Sequence, residues 1–164
     1  MDKYYYTIAQ LPTLYFDREP EITIESFFAE ARKWLTPGDY RALEKLDIDD
    51  TVTGARDAVL RRYKRFEDAL RRDLAGWRRA RISGGEAALP AYLSAIVKEG
   101  DPLEVEKKLL HLRWRFIEEM EREHHFDFSV LLLYLLKLQI LKRLSSFDSE
   151  KGLAVFKKIC EVSL

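Results

Sequence analysis

The residues best suited to chemistry are a glutamate and a histidine three positions apart, Glu121 and His124. On a helix this spacing places a carboxylate and an imidazole on one face. Di-iron helical bundles use such a pair twice, together with two further glutamates. The chain has no second pair of this kind, so we expect no metal site. His124 and the adjacent His125 instead suit a helix end, where partial positive charge interacts favourably with the helix dipole.

Other candidates for chemistry are weaker. We interpret His111 as a structural histidine, because its helix also carries Leu110 and Trp114. Gly84 and Gly85 form too short a glycine segment to hold a phosphate and fit the end of a helix. The single cysteine, Cys160, has no neighbouring base in the sequence and fits packing. Motifs of nucleotide-binding, hydrolase and zinc-protease sites are also missing, so we predict a non-catalytic protein without catalytic residues or a cofactor.

Composition and length favour one helical domain. The chain has 164 residues, of which 47% are hydrophobic and 34% charged, with only 7 Gly and 5 Pro. This is enough apolar material for one core and too few helix breakers for a loop-rich or all-β fold. We predict one helical domain over residues 1–164, with a small N-terminal lobe over residues 1–50 as an alternative. The start of the chain lacks the pattern of a secretory signal, so we expect a cytoplasmic protein, at a membrane only peripherally through a complex.

The segment 129–144 is apolar on nearly every side and therefore needs to be surrounded by other elements. Its polar residues leave it shorter than the ~20 apolar residues of a membrane span. They are Lys137, Gln139, Lys142 and Arg143. We predict an all-α, irregular multi-helix bundle around one central helix at about 130–144. The N-terminal segment, residues 4–11, fits either a strand or a short helix.

Capping residues and apolar spacing place the remaining helices. We predict them at about 24–35, 37–46, 54–82, 86–97, 102–124 and 148–162. The helix at 54–82 has an apolar stripe on one side and arginines around the rest of its circumference. The stripe consists of Val59, Tyr63, Phe66, Leu70, Leu74 and Trp77.

Charge is balanced over the whole chain but not along it. Residues 51–82 hold ten basic and four acidic residues, whereas residues 1–50 hold eleven acidic and six basic ones. The acidic part therefore lies against the basic helix, or each meets its own partner. The arginines on this helix fit a solvated face, a contact with an acidic protein, or binding of RNA or anionic lipid. The candidate residues are Arg61, Arg62, Arg65, Arg71, Arg72, Arg78 and Arg79.

Three segments together resemble a known family. They are the tyrosine-rich start at 4–14, the segment 128–143 with its Y-L-L-K-L-Q-I-L-K-R sequence, and D-S-E-K-G at 148–152. The chain is similar to an uncharacterised family of short helical proteins encoded beside V/A-type ATPase subunits. More distantly, its start is similar to the C (or d) subunit of these ATPases, an all-helical protein that sits on the rotor ring and receives the central stalk.

The resemblance implies a non-catalytic accessory or coupling component of a V/A-type ATPase that acts by protein–protein contact. We expect the contact at the aromatic N-terminus, residues Tyr4, Tyr5 and Tyr6, and at the arginines of residues 61–79. The alternatives are a free-standing helical interaction module and an RNA- or anionic-lipid-binding protein that uses the basic helix over residues 56–81.

Overall fold

The computed structural model describes residues 4–49, 57–85, 88–98 and 100–147, and within these ranges it contains helices and no strand. The predicted all-α class is therefore confirmed. The predicted last helix at 148–162 and Cys160 lie outside the described residues. The helices are α1 (Tyr5–Ala9), α2 (Ile24–Trp34), α3 (Pro37–Glu44), α4 (Ala58–Ile82), α5 (Ala91–Lys98), α6 (Pro102–Glu121) and α7 (Phe128–Ser145).

Helix α7 lies at the centre of the fold, as the apolar segment predicted. Every residue from Leu131 to Leu138 is buried, and α2, α3 and α6 all pack against this helix. The larger apolar cluster joins α7 to residues from α2, α3, α4 and α6. The surrounding helices thus remove from water an apolar surface that no single neighbour could cover.

The N-terminal segment forms a short helix, which resolves the choice between strand and helix. Helix α1 packs against α2 and buries Thr7 completely. Tyr4 and Ile8, half-buried beside it, pack against the larger cluster. A one-turn helix is not stable by itself, so these tertiary contacts hold α1 in place.

Polar residues of α7 bind the segments around it. The amide of Gln139 accepts a hydrogen bond from the backbone N–H of Ile48 at 2.8 Å and donates one to the carbonyl of Leu46 at 2.7 Å. The hydroxyl of Tyr134 donates to the carbonyl of Pro12 at 2.8 Å. Both side chains therefore satisfy backbone groups of connecting segments at the edge of the core.

Helix α4 starts and ends at residues with clear local causes. It begins at Ala58 rather than at 54, because Asp57 is extended and its carboxylate accepts from the N–H of Val59. At the other end Gly84 has a φ of 72°. The N–H of Gly85 then bonds to the carbonyl of Ala80 at 2.9 Å, as in a Schellman motif.

Two other predicted boundaries were wrong. Helix α5 begins at Ala91, after Pro90, rather than at 86, because the proline ring disfavours a helical residue before it. Helix α6 ends at Glu121 rather than at 124, because the chain turns at Phe126 and Asp127 then caps α7.

Candidate functional site

Four large aromatic side chains form one exposed surface, which we call the aromatic surface: Tyr5, Tyr6, Trp34 and Phe126. Between 42% and 46% of each residue is exposed. The ring centroids of Tyr5 and Phe126 are 4.9 Å apart, those of Tyr5 and Tyr6 5.8 Å, and those of Tyr6 and Trp34 5.3 Å. The four rings are thus continuous, in contrast to the singly scattered apolar residues that are common on protein surfaces.

Three separate elements bring these rings together. Tyr5 and Tyr6 begin α1, Trp34 ends α2, and Phe126 lies in the turn between α6 and α7. The indole N–H of Trp34 donates to the Glu30 carboxylate at 3.1 Å, and its ring stacks on Tyr6 at an interplanar angle of 18°. The rings are therefore held in fixed orientations before any partner binds, which lowers the entropy cost of binding.

Phe126 has an unusual backbone conformation. Its φ is 48°, the only positive φ of a residue other than glycine in the described ranges. A bulky side chain in this region costs roughly 1–3 kcal/mol, and such strain is concentrated at functional positions. The turn would be less strained with glycine. The ring that Phe126 adds to the aromatic surface gives a physical reason for a phenylalanine here.

Tyr4, the third predicted aromatic residue, faces inward rather than outward. Its ring centroid lies 5.7 Å from that of Phe128, and its hydroxyl donates to the Asp39 carboxylate at 3.2 Å. Asp39 also accepts from the hydroxyl of Thr36, the residue that caps α3. Tyr4 therefore anchors α1 to α3, and Tyr5 and Tyr6 remain as the exposed tyrosines of this segment.

The predicted arginines of α4 lie in different environments. Arg61, Arg65, Arg72 and Arg79 are exposed and lie on the outer side of α4, as their helical spacing requires. Arg62 does not lie on this outer side. It contacts Glu119 of α6 at 3.7 Å and Glu123, just after α6, at 3.0 Å.

Arg71 and Arg78 lie on the other flank of α4, where they line a cavity of about 310 Å³. Arg113 and Arg143 reach the same cavity, and so do Asp49 and Glu106. Arg143 bonds to both of these acids, at 2.7 and 2.9 Å. The two acids of the cavity therefore compensate Arg143, whereas Arg71, Arg78 and Arg113 line it without an ion pair to either of them.

A buried carboxylate joins α4 to α6. Glu67 is completely buried and accepts two hydrogen bonds from Arg113, both at 2.9 Å, and one from Arg71 at 2.8 Å. Burial is the largest influence and acts to raise the pKa of Glu67. The bonds from Arg113 and Arg71 outweigh it, and the net pKa is lowered. Glu67 therefore remains charged inside the fold.

Glu121 and His124 are three positions apart, but their side chains bind different residues and do not form a ligand pair. Glu121 forms an ion pair with the buried Lys137 of α7, and His124 bonds to Asp127 at 2.7 Å. Lys137 also lies 4.8 Å from the centre of the Trp114 ring. Within the ranges that the structure describes, no group of three or more His, Cys, Asp and Glu residues is placed to hold a metal ion.

Sequence reasoning identified Tyr5 and Tyr6 but missed Trp34 and Phe126. Trp34 falls at the end of an amphipathic helix, and Phe126 in a turn, so neither has a sequence neighbour that indicates a surface role. The aromatic surface exists only because α1 packs beside the end of α2 and the turn before α7. No signal in one sequence reports that contact.

Comparison with known proteins gives one partial match. The model of a family described as a protein of unknown function (DUF2764) matches residues 88–162, a little under half of the chain. The matched part includes α5, α6 and α7, and with them the 128–143 segment that carries the resemblance. No curated protein and no solved structure matches the chain. These findings show no link to V/A-type ATPase subunits.

No helix among the described residues is both long enough and apolar enough to cross a membrane.

Proposed function

We propose that the chain is a non-catalytic protein that acts by binding another protein through the aromatic surface. The observation that supports this is the continuity of Tyr5, Tyr6, Trp34 and Phe126, each more than two-fifths exposed. Tyrosine and tryptophan are enriched among the residues that dominate binding energy at protein interfaces. Their rings bury a large area and lose little side-chain entropy, because few bonds must be fixed.

The strain at Phe126 supports the same proposal. A side chain that served only the fold would be expected in the core, whereas Phe126 is 43% exposed and still keeps a positive φ. The ring contacts Tyr5, itself exposed. A partner that covered both rings would gain the hydrophobic free energy that the isolated chain leaves unused.

For the partner, we propose a subunit of a V/A-type ATPase, with this chain as an accessory or coupling component. This part of the proposal rests on the resemblance of the sequence and on no contact in the structure. A free-standing interaction module is the alternative and would use the same aromatic surface.

The test is affinity purification of the tagged protein from its native cell, with Tyr5→Ser and Trp34→Ala compared with wild type. Truncating a central aromatic contact costs about 2 kcal/mol or more. We therefore expect V/A-type ATPase subunits with wild type and strongly reduced recovery with the two variants. Tyr15→Ser is the matched control, because Tyr15 is 50% exposed and lies outside the aromatic surface.

Each other outcome contradicts a defined part of the proposal. If wild type recovers a different protein in a Tyr5-dependent manner, the ATPase role is wrong and the interaction module stands. If ATPase subunits bind equally well to all variants, the aromatic surface is not the contact, and the exposed arginines of α4 become the next surface to change.

A further inference from the structure

A second surface, separate from the aromatic surface, lies between α5 and α6. It is a groove of about 510 Å³, within the range of about 300–1,000 Å³ that is typical of binding clefts. Its apolar lining comes from Tyr92 and Ile96 on α5, Leu112 on α6, and Phe16 from the segment after α1. We call it the cationic groove because of the charges along its rim.

Packing contacts with the rest of the fold hold the apolar side chains of the groove in place. Ile96 and Leu112 pack against the smaller apolar cluster, which α4, α5 and α6 build together. Phe16 is held between His111 and Trp114, with ring centroids 4.7 and 5.6 Å apart. Tyr92 is 51% exposed and stands at the edge. The groove is thus a formed feature that offers unused apolar surface.

The rim carries the positive charges of Lys107 and Arg115, with His111 between them. Lys107, His111 and Arg115 follow one another at intervals of four residues, so they form a row about 12 Å long on α6. No acidic residue lines the groove in the part of the chain that the structure describes. Lys108 also lines the groove and is engaged in an interaction of its own. The cavity beside Arg71 differs, because Asp49 and Glu106 line it together with its arginines.

We propose that the cationic groove binds an acidic amphipathic helix of a partner protein. Carboxylates at intervals of four residues would face the row of Lys107, His111 and Arg115, and leucine-like side chains beside them would cover Ile96, Leu112 and Tyr92. Binding of an amphipathic helix by a groove is a common mode of recognition, in which apolar anchors supply affinity and charges supply orientation. Short length and concave shape favour a helix over a membrane surface.

The probe is a fluorescent synthetic helix of about 14 residues, which is about 21 Å long. It has leucines on one face and glutamates at intervals of four beside them. Fluorescence anisotropy measures its binding to the whole protein. We expect Lys107→Glu/Arg115→Glu to weaken binding about tenfold or more, and increasing salt to weaken binding to wild type. Tyr92→Ser is expected to weaken it as well, because the apolar contact at the edge is lost.

The matched control is Arg65→Glu/Arg72→Glu, which changes net charge equally but lies on the outer side of α4. It should leave binding nearly unchanged, and unfolding midpoints verify that each variant is folded. Equal weakening by both charge reversals would show general electrostatic attraction and overturn the proposal, as would equal affinity for a scrambled peptide of the same composition or no binding at all.

Two further measurements distinguish this proposal from membrane binding and from the aromatic surface. In the first, vesicles with anionic lipid replace the peptide. If they bind wild type but not Lys107→Glu/Arg115→Glu, and the peptide does not bind, the groove is a membrane-binding site instead. Tyr5→Ser should not alter peptide binding, since Tyr5 lies outside the groove. Failure of the aromatic surface as an interface and failure of the groove are therefore observed separately.

Discussion

Replacing Glu67 by leucine should destabilise the protein strongly. Glu67 is fully buried and accepts three charge-assisted hydrogen bonds. Leucine would leave the Arg113 guanidinium, whose side chain is only 13% exposed, without its carboxylate. Breaking a buried ion pair in this way costs about 3–5 kcal/mol. Arg71 adds less to this cost, because its side chain is 47% exposed and can turn to water.

Removing both partners should reverse most of that loss. In Glu67→Leu/Arg113→Met no buried charge remains at this contact, and apolar side chains fill the space between α4 and α6. Replacement of whole buried ion pairs by apolar residues is often neutral or stabilising. We therefore expect the double variant to be clearly more stable than Glu67→Leu alone.

Urea denaturation, followed by helical circular dichroism, measures the free energy of unfolding of each variant. The control is Glu123→Gln, which removes an ion pair with Arg62 in which both side chains are well exposed; such a pair contributes about 0–1 kcal/mol. The reasoning would be refuted if Glu67→Leu cost no more than Glu123→Gln, or if the double variant were as unstable as the single one.

The same carboxylate predicts a dependence of stability on pH. The pKa of Glu67 in the folded protein is lowered from the ordinary value of 4.5. A lowered folded pKa means that its stabilisation is complete above pH 4.5 and is lost as the pH falls from there through the folded pKa. The difference in unfolding free energy between wild type and Glu67→Gln should therefore be constant above that pH and shrink below it. A difference that grows on acidification would contradict the sign.

Three further predictions concern other parts of the fold. Leu135→Ala should cost about 2–5 kcal/mol in urea denaturation, because Leu135 is fully buried in the central helix; an unchanged midpoint would contradict the central position of α7. Tyr63→Phe should be neutral or stabilising in the same assay, since the buried Tyr63 hydroxyl has no hydrogen-bond partner among the described residues, and a loss of stability would contradict this. Elemental analysis should find no stoichiometric iron or zinc, because Glu121 is paired with Lys137 and His124 with Asp127; one metal per chain that is lost in His124→Ala would contradict this.

Much of the fold could be predicted because local signals agreed with the final packing. Thr23 and Thr36 cap α2 and α3 at the predicted starts of these helices. The segment that forms α7 has too few polar residues for a surface helix, and most of its side chains are buried. The boundaries of α5 and α6 were less accurate, because a proline and a strained turn outweighed the apolar spacing on which those boundaries were based.

The contacts of the charged residues were harder to predict from the sequence. A single sequence shows that α4 is rich in arginine, but not which arginines meet acids from other helices. Glu123 is 61 positions from Arg62 and Arg113 is 46 positions from Glu67, so both contacts depend on how α4 packs against α6. Arg61, Arg62, Arg71 and Arg72 lie off the apolar stripe, and on that ground alone their reversal to glutamate should leave the fold intact. The bond of Arg71 to the buried Glu67 argues against that, since a glutamate there would face another carboxylate.

The span of the family match separates the two proposed surfaces. Residues 88–162 include the parts of α5 and α6 that form the cationic groove, and also Phe126, but not Tyr5, Tyr6 or Trp34. The cationic side chains of the groove and most of its apolar lining lie inside the matched part. Three of the four rings of the aromatic surface lie outside it, in α1 and α2. The peptide assay therefore tests a surface within the matched part, whereas the affinity purification tests one that lies mostly outside it.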